Sequence, residues 1–303
     1  MTDKHRILTA DGKPVNSEDE FSTKRIQERA KEDQEYLPVI IKRTDQVVKH
    51  PGDTLEQAIR EGLEQIKRPI ISLALSSIAA GLILGFVPML VGFASELTAG
   101  STNAFQQRLS MALLYPIGFI VCIVSGTQLF TEHTATAIYP IVDRKARVAQ
   151  LFKLWAIVLF GNLVGTFITS CFLILAEPVI QIGQGYQAVA HHLLHFSSQE
   201  VLVSAVLAGW LMAQGAWLIM ASTASSSQIL CIYIVTFTIG LGGPHHSIAG
   251  SAEAFVAYLS SPDVGLASVF NFILWAVIGN AIGGSVFVGL LNYGHIKQTQ
   301  TLD

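Results

Sequence analysis

"TIGLGGPHHSIAG", Thr238 to Gly250, decides how this chain is read. Four glycines, a proline and two adjacent histidines interrupt one of its most apolar runs. In water such a stretch is an ordinary loop. Inside a run long enough to cross a bilayer, it frees backbone groups that lipid cannot satisfy and it buries imidazoles. Irregular backbone is tolerated at membrane depth only where protein or a polar cavity surrounds it.

The rest of the chain agrees with a membrane setting. It is 51% hydrophobic and 14% charged over 303 residues, with a mean hydropathy of +0.49, outside the range of soluble globular domains. Of 19 Lys and Arg, 13 precede residue 69, as do 14 of 22 Asp and Glu, so a polar arm leads a nearly uncharged body. Residues 1–50 read as a charged cytoplasmic arm, partly disordered or helical, able to recruit a cytoplasmic partner. Residues 51–68 read as an amphipathic interfacial helix started by an Asp53–Glu56 capping box, with Leu55, Ile59, Leu63 and Ile66 on one face. Residues 69–293 hold the spans, and 294–303 a cytoplasmic tail. "MTDKHRILTADGK" lacks the apolar core of a signal peptide. A net charge of −3 gives no basis for a nucleic-acid partner. Cys122, Cys171 and Cys231 are odd in number and lie in apolar runs, which reads as free packing thiols.

A span needs about 20 apolar residues. Six stretches qualify, near 70–95, 109–140, 146–176, 201–222, 228–259 and 265–291, and the second and fifth are overlong and interrupted. Lys67, Arg68 and the "DRKAR" loop (Asp143 to Arg147) fall on one side, so the positive-inside rule places both termini in the cytoplasm.

"FGNLVG" (Phe160 to Gly165) recurs as "IGNAIG" (Ile278 to Gly283), 118 residues on. The same offset carries "SGTQLFTEHT" (Ser125 to Thr134) onto the opening stretch. Three spans per copy reverse the orientation of the second copy, so the expected fold is all-α: six transmembrane helices as an inverted 3+3 repeat with helices 2 and 5 broken. Gly161, Asn162 and Gly165, with Gly279, Asn280 and Gly283, read as close helix contacts. Polar residues at the two breaks are the functional candidates.

With these motifs the chain resembles the formate/nitrite transporter family over roughly Pro51 to Tyr293. "GTQLFT" (Gly126 to Thr131) is similar to the family's span-2 signature and "HSIA" (His246 to Ala249) to its span-5 histidine loop. The paired "GN" motifs and the amphipathic helix also match. The resemblance implies an aquaporin-like protomer with its own pore, a homo-pentamer in the lipid bilayer, and small monovalent weak-acid anions such as formate, nitrite or hydrosulfide. It makes His246 the midplane histidine, Thr131 its partner and Phe130 a constriction residue. Four positions depart from the pattern. Gln128 replaces an acidic residue, Glu132 a small or neutral one, His245 often a Glu, and Gly250 an Asn. "LAGWLMA" (Leu207 to Ala213) lacks an Asn of the pattern as well.

An imidazole beside a pore can donate a hydrogen bond, relay a proton or hold a stationary charge, and its unperturbed pKa of about 6.5 permits all three. The bland alternative is a structural histidine bonding carbonyls freed by the break. By helical geometry His245 faces away from His246 and reads as structural. Thr131 can cap the second half of span 2 as well as face a pore. Glu253 and Lys153 are assigned no transport role. His191, His192 and His195 share a helical face but have no accompanying carboxylate or thiolate motif, so they read as a surface cluster without metal. No catalytic triad or phosphate loop appears and no cofactor is implied, so an enzyme is not expected. Two alternatives stand beside the anion channel: a pore of the same fold for a neutral solute such as water, ammonia or an undissociated acid, and a membrane anchor with a vestigial pore.

Overall fold

The computed structural model describes residues 48–101 and 103–300. The reading of the amino-terminal arm and its partner therefore lies outside the described residues, except at its last three. The chain is an all-α polytopic membrane protein, with six of the described helices long and apolar enough to cross a membrane.

The first helix, α1 (Pro51–Lys67), starts with proline at its first position, where a missing N–H is harmless. His50 rather than Asp53 caps it, its side chain accepting from the Gly52 N–H at 3.2 Å. Leu55, Ala58 and Ile59 of its apolar face are buried with Tyr139, Met220, Val288 and Ile296. Protein, rather than lipid alone, covers this face.

The first crossing is α2 (Ile70–Leu84) with α3 (Val87–Leu97), joined at Gly85 and Phe86 just before Pro88. The second opens with α4 (Ala104–Val124) and turns at 125–129. It resumes as α5 (Phe130–Thr136) and α6 (Tyr139–Val142). The third is α7 (Val148–Leu175), followed by α8 (Glu177–Ile180) and α9 (Gly183–Leu194). The fourth is α10 (Ser198–Ala221), started by a capping box between Ser197 and Glu200. The fifth is α11 (Ser225–Gly242), a turn at 243–246, and α12 (Ser247–Ser260). The sixth, α13 (Leu266–Gly284), runs through a π-helical turn, Ser285–Leu290, into α14 (Leu291–Gln300). Residues 294–300 of the segment read as a tail thus continue the last helix. The Tyr293 hydroxyl donates to Asp143 at 2.9 Å, fastening α14 to the "DRKAR" loop. Partial burial opposes ionisation of Asp143, but Lys145, Tyr293 and Lys297 outweigh it and hold the carboxyl below the ordinary carboxylate range.

Two helix pairs carry the scaffold, α2 along α7 and α10 along α13. A methyl group at Gly161 or Gly165 would strike Ser77 or the Ile78 carbonyl of α2. One at Gly279 or Gly283 would strike Ala205 or the Val206 carbonyl of α10. Absence of side chains at these positions sets how closely the pairs approach. The main core gathers Leu84, Phe119, Leu129, Phe130, Val158, Ile239 and Ile248, and the far ends of both turns, Gln128–Leu129 and His245–His246, are buried. Phe160 is 70% exposed and Leu175 77%, a surface suited to lipid or to another protomer rather than to water.

Candidate functional site

Each turn begins at a glycine in the left-handed region, Gly126 (φ 67°) and Gly243 (φ 75°), a conformation other residues adopt only with strain. A buried asparagine from the next G-N helix then holds it. Asn162 donates through Nδ2 to the carbonyls of Ser77 (2.8 Å) and Gln128 (2.9 Å) and accepts from the Phe130 N–H (2.8 Å). Asn280 donates to Ala205 (2.8 Å) and His245 (3.0 Å) and accepts from the Ser247 N–H (2.7 Å). One side chain therefore satisfies groups that a continuous helix would have paired. These bonds match Gln128 with His245 and Leu129 with His246, an offset of 117 at the turns against 118 at the G-N motifs. A single offset would have set Gln128 against His246.

His246 caps α12. Its Nδ1 accepts from the N–H groups of Ile248 and Ala249, both at 3.2 Å. An accepting Nδ1 leaves the ring proton on Nε2, which lies 3.0 Å from Thr131 Oγ1. The imidazole thus bonds amide N–H groups, not the freed carbonyls expected of a structural histidine here. Phe119 meets the ring edge-on at a centroid distance of 4.9 Å. Thr131 is fully buried, with its carbonyl accepting from Thr134 Oγ1 at 2.8 Å. Phe130 is buried against Trp155, whose Nε1 donates to the His133 carbonyl at 3.0 Å.

His245 and His246 are both among the residues lining one cavity, and the turn at 243–246 is not helical. Their rings nonetheless have different neighbours, Phe196 and Phe272 for His245 and Phe119 for His246. The His245 Nδ1 bonds Ser204 Oγ, which also accepts from the His245 N–H.

Two cavities approach the Thr131–His246 contact and share no lining residue. The first, about 390 Å³, reaches His246 and is lined also by Arg108, Tyr115, His192, His245 and Glu253. Partial burial, then the charge of Arg108, lowers the His192 pKa below the ordinary histidine value. The second, about 340 Å³, reaches Gln128 and Glu132 and is lined also by Glu61, Arg68 and His133. Glu132 finds neither His133 nor His245 as a donor; no hydrogen bond or ion pair reaches its carboxylate among the described residues. Burial raises the Glu61 pKa, with Gln57, Glu64 and Lys49 adding smaller effects. Gln57 Nε2 donates to Glu61 at 2.8 Å, while Gln57 Oε1 accepts from Lys49 Nζ at 2.5 Å.

Sequence reasoning does not single out Glu253 or Glu61 as site residues. An acidic residue inside an apolar half-span is the available signal for Glu253. Nothing in the spacing of α1 could show that Glu61 faces a cavity. Rings of His191 and His195 stack at 6.1 Å, and no metal-holding group of three His, Cys, Asp or Glu occurs among the described residues. Lys153 is exposed on α7.

Comparison with known proteins gives the same architecture. The chain is 28% identical over 246 residues to the inner membrane protein YfdC of Escherichia coli, covering 80% of this chain and 77% of that protein. A solved FNT family ion channel superposes with a TM-score of 0.73 at 19% identity, covering 80% of this chain and 98% of that one. A pentameric formate channel with formate bound superposes with a TM-score of 0.65 at 20% identity, covering 76% and 98%. The sequence pattern described as formate/nitrite transporter spans residues 52–294, from the start of α1 into α14 and across both asparagine-held turns. By that match, the chain belongs to the formate/nitrite transporter family.

Proposed function

We propose that this chain is a bacterial inner-membrane channel or transporter for small monovalent weak acids of the formate and nitrite kind. The observation that carries the reading is the Thr131–His246 contact, held between two cavities that each carry ionisable side chains, by a histidine whose Nδ1 is occupied. The Nε2–H and the threonine hydroxyl are the two hydrogen-bonding groups that this buried contact between the cavities can offer a permeant oxygen. In this reading His246 is a fixed donor, because a second proton on Nδ1 would face two amide N–H groups. The two halves are copies of an inverted repeat, a view supported by the paired left-handed glycines and paired asparagine bonds. A cytoplasmic side for the Glu132 cavity and both termini is supported by Arg68, Lys67 and the "DRKAR" loop through the positive-inside rule. Homo-pentamers follow by likeness to the formate channel structure, and transport rather than catalysis by likeness to relatives that are channels.

A second reading has its own observation. Glu132 and Glu253 place a carboxylate in each cavity, and an ionised carboxylate repels an anion, which favours crossing by a neutral solute. Flux into proteoliposomes tests both readings. Formate or nitrite uptake at least tenfold above empty vesicles is expected, and uptake of water or ammonia alone would replace the first reading by the second.

A further inference from the structure

We propose that Glu253 is a proton-exchange and specificity-determining residue, acting with Glu132 across the Thr131–His246 contact so that the solute crosses only with a proton. The proposal rests on the weak-acid reading above.

Glu253 lies in α12, seven residues beyond the N-cap His246. Both residues line the 390 Å³ cavity. Partly exposed to that space, the Glu253 carboxylate is reached by no hydrogen bond or ion pair among the described residues. The ionisable groups sharing its cavity are Arg108 and Tyr115 of α4, His192 of α9, and His245 and His246 of the turn. From α3 come Val91 and Ser95, while α7 and α13 contribute nothing to the lining. On the other side of the contact Glu132 stands one residue from Thr131, equally unbonded, in the second cavity.

A bare anion entering either cavity meets an ionised carboxylate in a poorly solvated space and is repelled. The same carboxylate, when protonated, has a proton to give. His246 does not take this role, since Nδ1 holds two amide N–H groups and the Nε2 proton is directed at Thr131. Exchange between a carboxyl group and a weak acid of similar basicity needs little driving force. The Glu253 O–H bond breaks as an O–H bond forms on the arriving anion. The neutral acid then passes between Thr131 and His246. In the second cavity its O–H bond breaks and Glu132 takes the proton. Glu253 recovers a proton from solution on its side, and Glu132 releases one on the other. One anion and one proton have then moved together, with no net charge transferred.

The test uses the full chain in proteoliposomes with a trapped pH-sensitive dye and a formate gradient. In the wild type, one proton is expected to enter with each formate, at a rate independent of membrane potential. Glu253→Gln should cut proton-coupled uptake tenfold or more, and Glu253→Asp should retain most of it. A Glu253→Gln variant that couples as the wild type does would overturn the role of Glu253 and leave the weak-acid reading standing. Wild-type formate flux that carries charge and no proton would overturn the proposal whatever the variants do, even if they fail to fold. A wild type that moves neither formate nor nitrite would overturn the weak-acid reading and this inference together.

Discussion

At Gly126 and at Gly243 the chain leaves its helix through the same left-handed residue, and in each case a buried asparagine ties down the turn. Past the turns the two halves part ways. Leu129 precedes α5 and offers no side-chain cap, whereas His246 precedes α12 and caps it through Nδ1. Thr131 on the uncapped side then turns its hydroxyl to the imidazole on the capped side. The turn geometry is present twice and the histidine cap once. Stability should therefore depend on the two turns alike, and transport on one of them.

The asparagines should give the largest effect. Alanine at Asn162 abandons the Phe130 N–H and the Ser77 and Gln128 carbonyls, and alanine at Asn280 abandons the Ser247 N–H and the Ala205 and His245 carbonyls. The Ser77 and Ala205 carbonyls keep their helical bonds, so two buried groups are left unpaired in each case, and at roughly 1 kcal/mol or more for each, either change should destabilise by about 2 kcal/mol or more. Thermal unfolding in detergent would show it. Similar losses are expected from the two, and a large loss from one alone would mean that the turns are not equivalent.

Next comes the cap. His246→Leu makes the second turn resemble the first, removing a cap worth about 1 kcal/mol and, with it, the donor facing Thr131. His246→Asn should restore most of the stability, since asparagine caps well, but not formate flux, because it cannot also reach Thr131. Recovery of flux in the asparagine variant would show that the imidazole matters only as a cap.

The scaffold is legible in the sequence because it is written in residue types with few other uses. An Asn between two glycines in an apolar run, repeated at a fixed distance, has no obvious role on a lipid-facing surface. The spacing shows the Asn162 and Asn280 motifs as close contacts but hides their bonding to the turns, because which carbonyls a side chain meets depends on neighbours distant in sequence. The reason given for His245 fails in a related way: helical geometry does not apply where Gly243 and Pro244 have already ended the helix, and it is packing against Phe196 and Phe272 that sets its ring apart from that of His246. The capping residue of α1 is displaced by three positions, since His50 is a weak capping signal beside the Asp53–Glu56 pair. Glu253 and Glu61 stay hidden because a cavity belongs to several helices at once and to no single stretch of chain.

The cavities extend the comparison. In the His246 cavity Glu253 is accompanied by Arg108 and His192, while Glu132 shares its cavity with Glu61 and Arg68. Glu132→Ser removes a carboxylate beside Thr131 without disturbing any bonded partner. It should admit a charge-carrying formate flux that the proton-coupled wild type does not show, because the repulsion of the bare anion beside Thr131 is gone. Flux measured under a clamped potential would check this, and equal flux in both proteins would mean that the permeant never meets Glu132.

Glu61 should give the smallest effect, confined to stability. Burial raises its pKa, while the Gln57 hydrogen bond and Lys49 act in the opposite direction and Glu64 adds to the rise. A carboxyl that holds its proton more tightly when folded favours the folded state in acid. That advantage is lost as pH climbs from the ordinary carboxylate value through the raised one. Glutamine at this position has no proton to lose, and its side-chain oxygen can still accept from Gln57. The Glu61→Gln variant should therefore melt together with the wild type in acid and above it at neutral and alkaline pH, by under about 1 kcal/mol for a partly exposed group. The carboxylates of the second cavity would then differ in kind: Glu132 would act on the permeant and Glu61 on the packing of α1. A formate flux that changed with Glu61→Gln as much as with Glu132→Ser would erase that distinction and make both carboxylates part of the path.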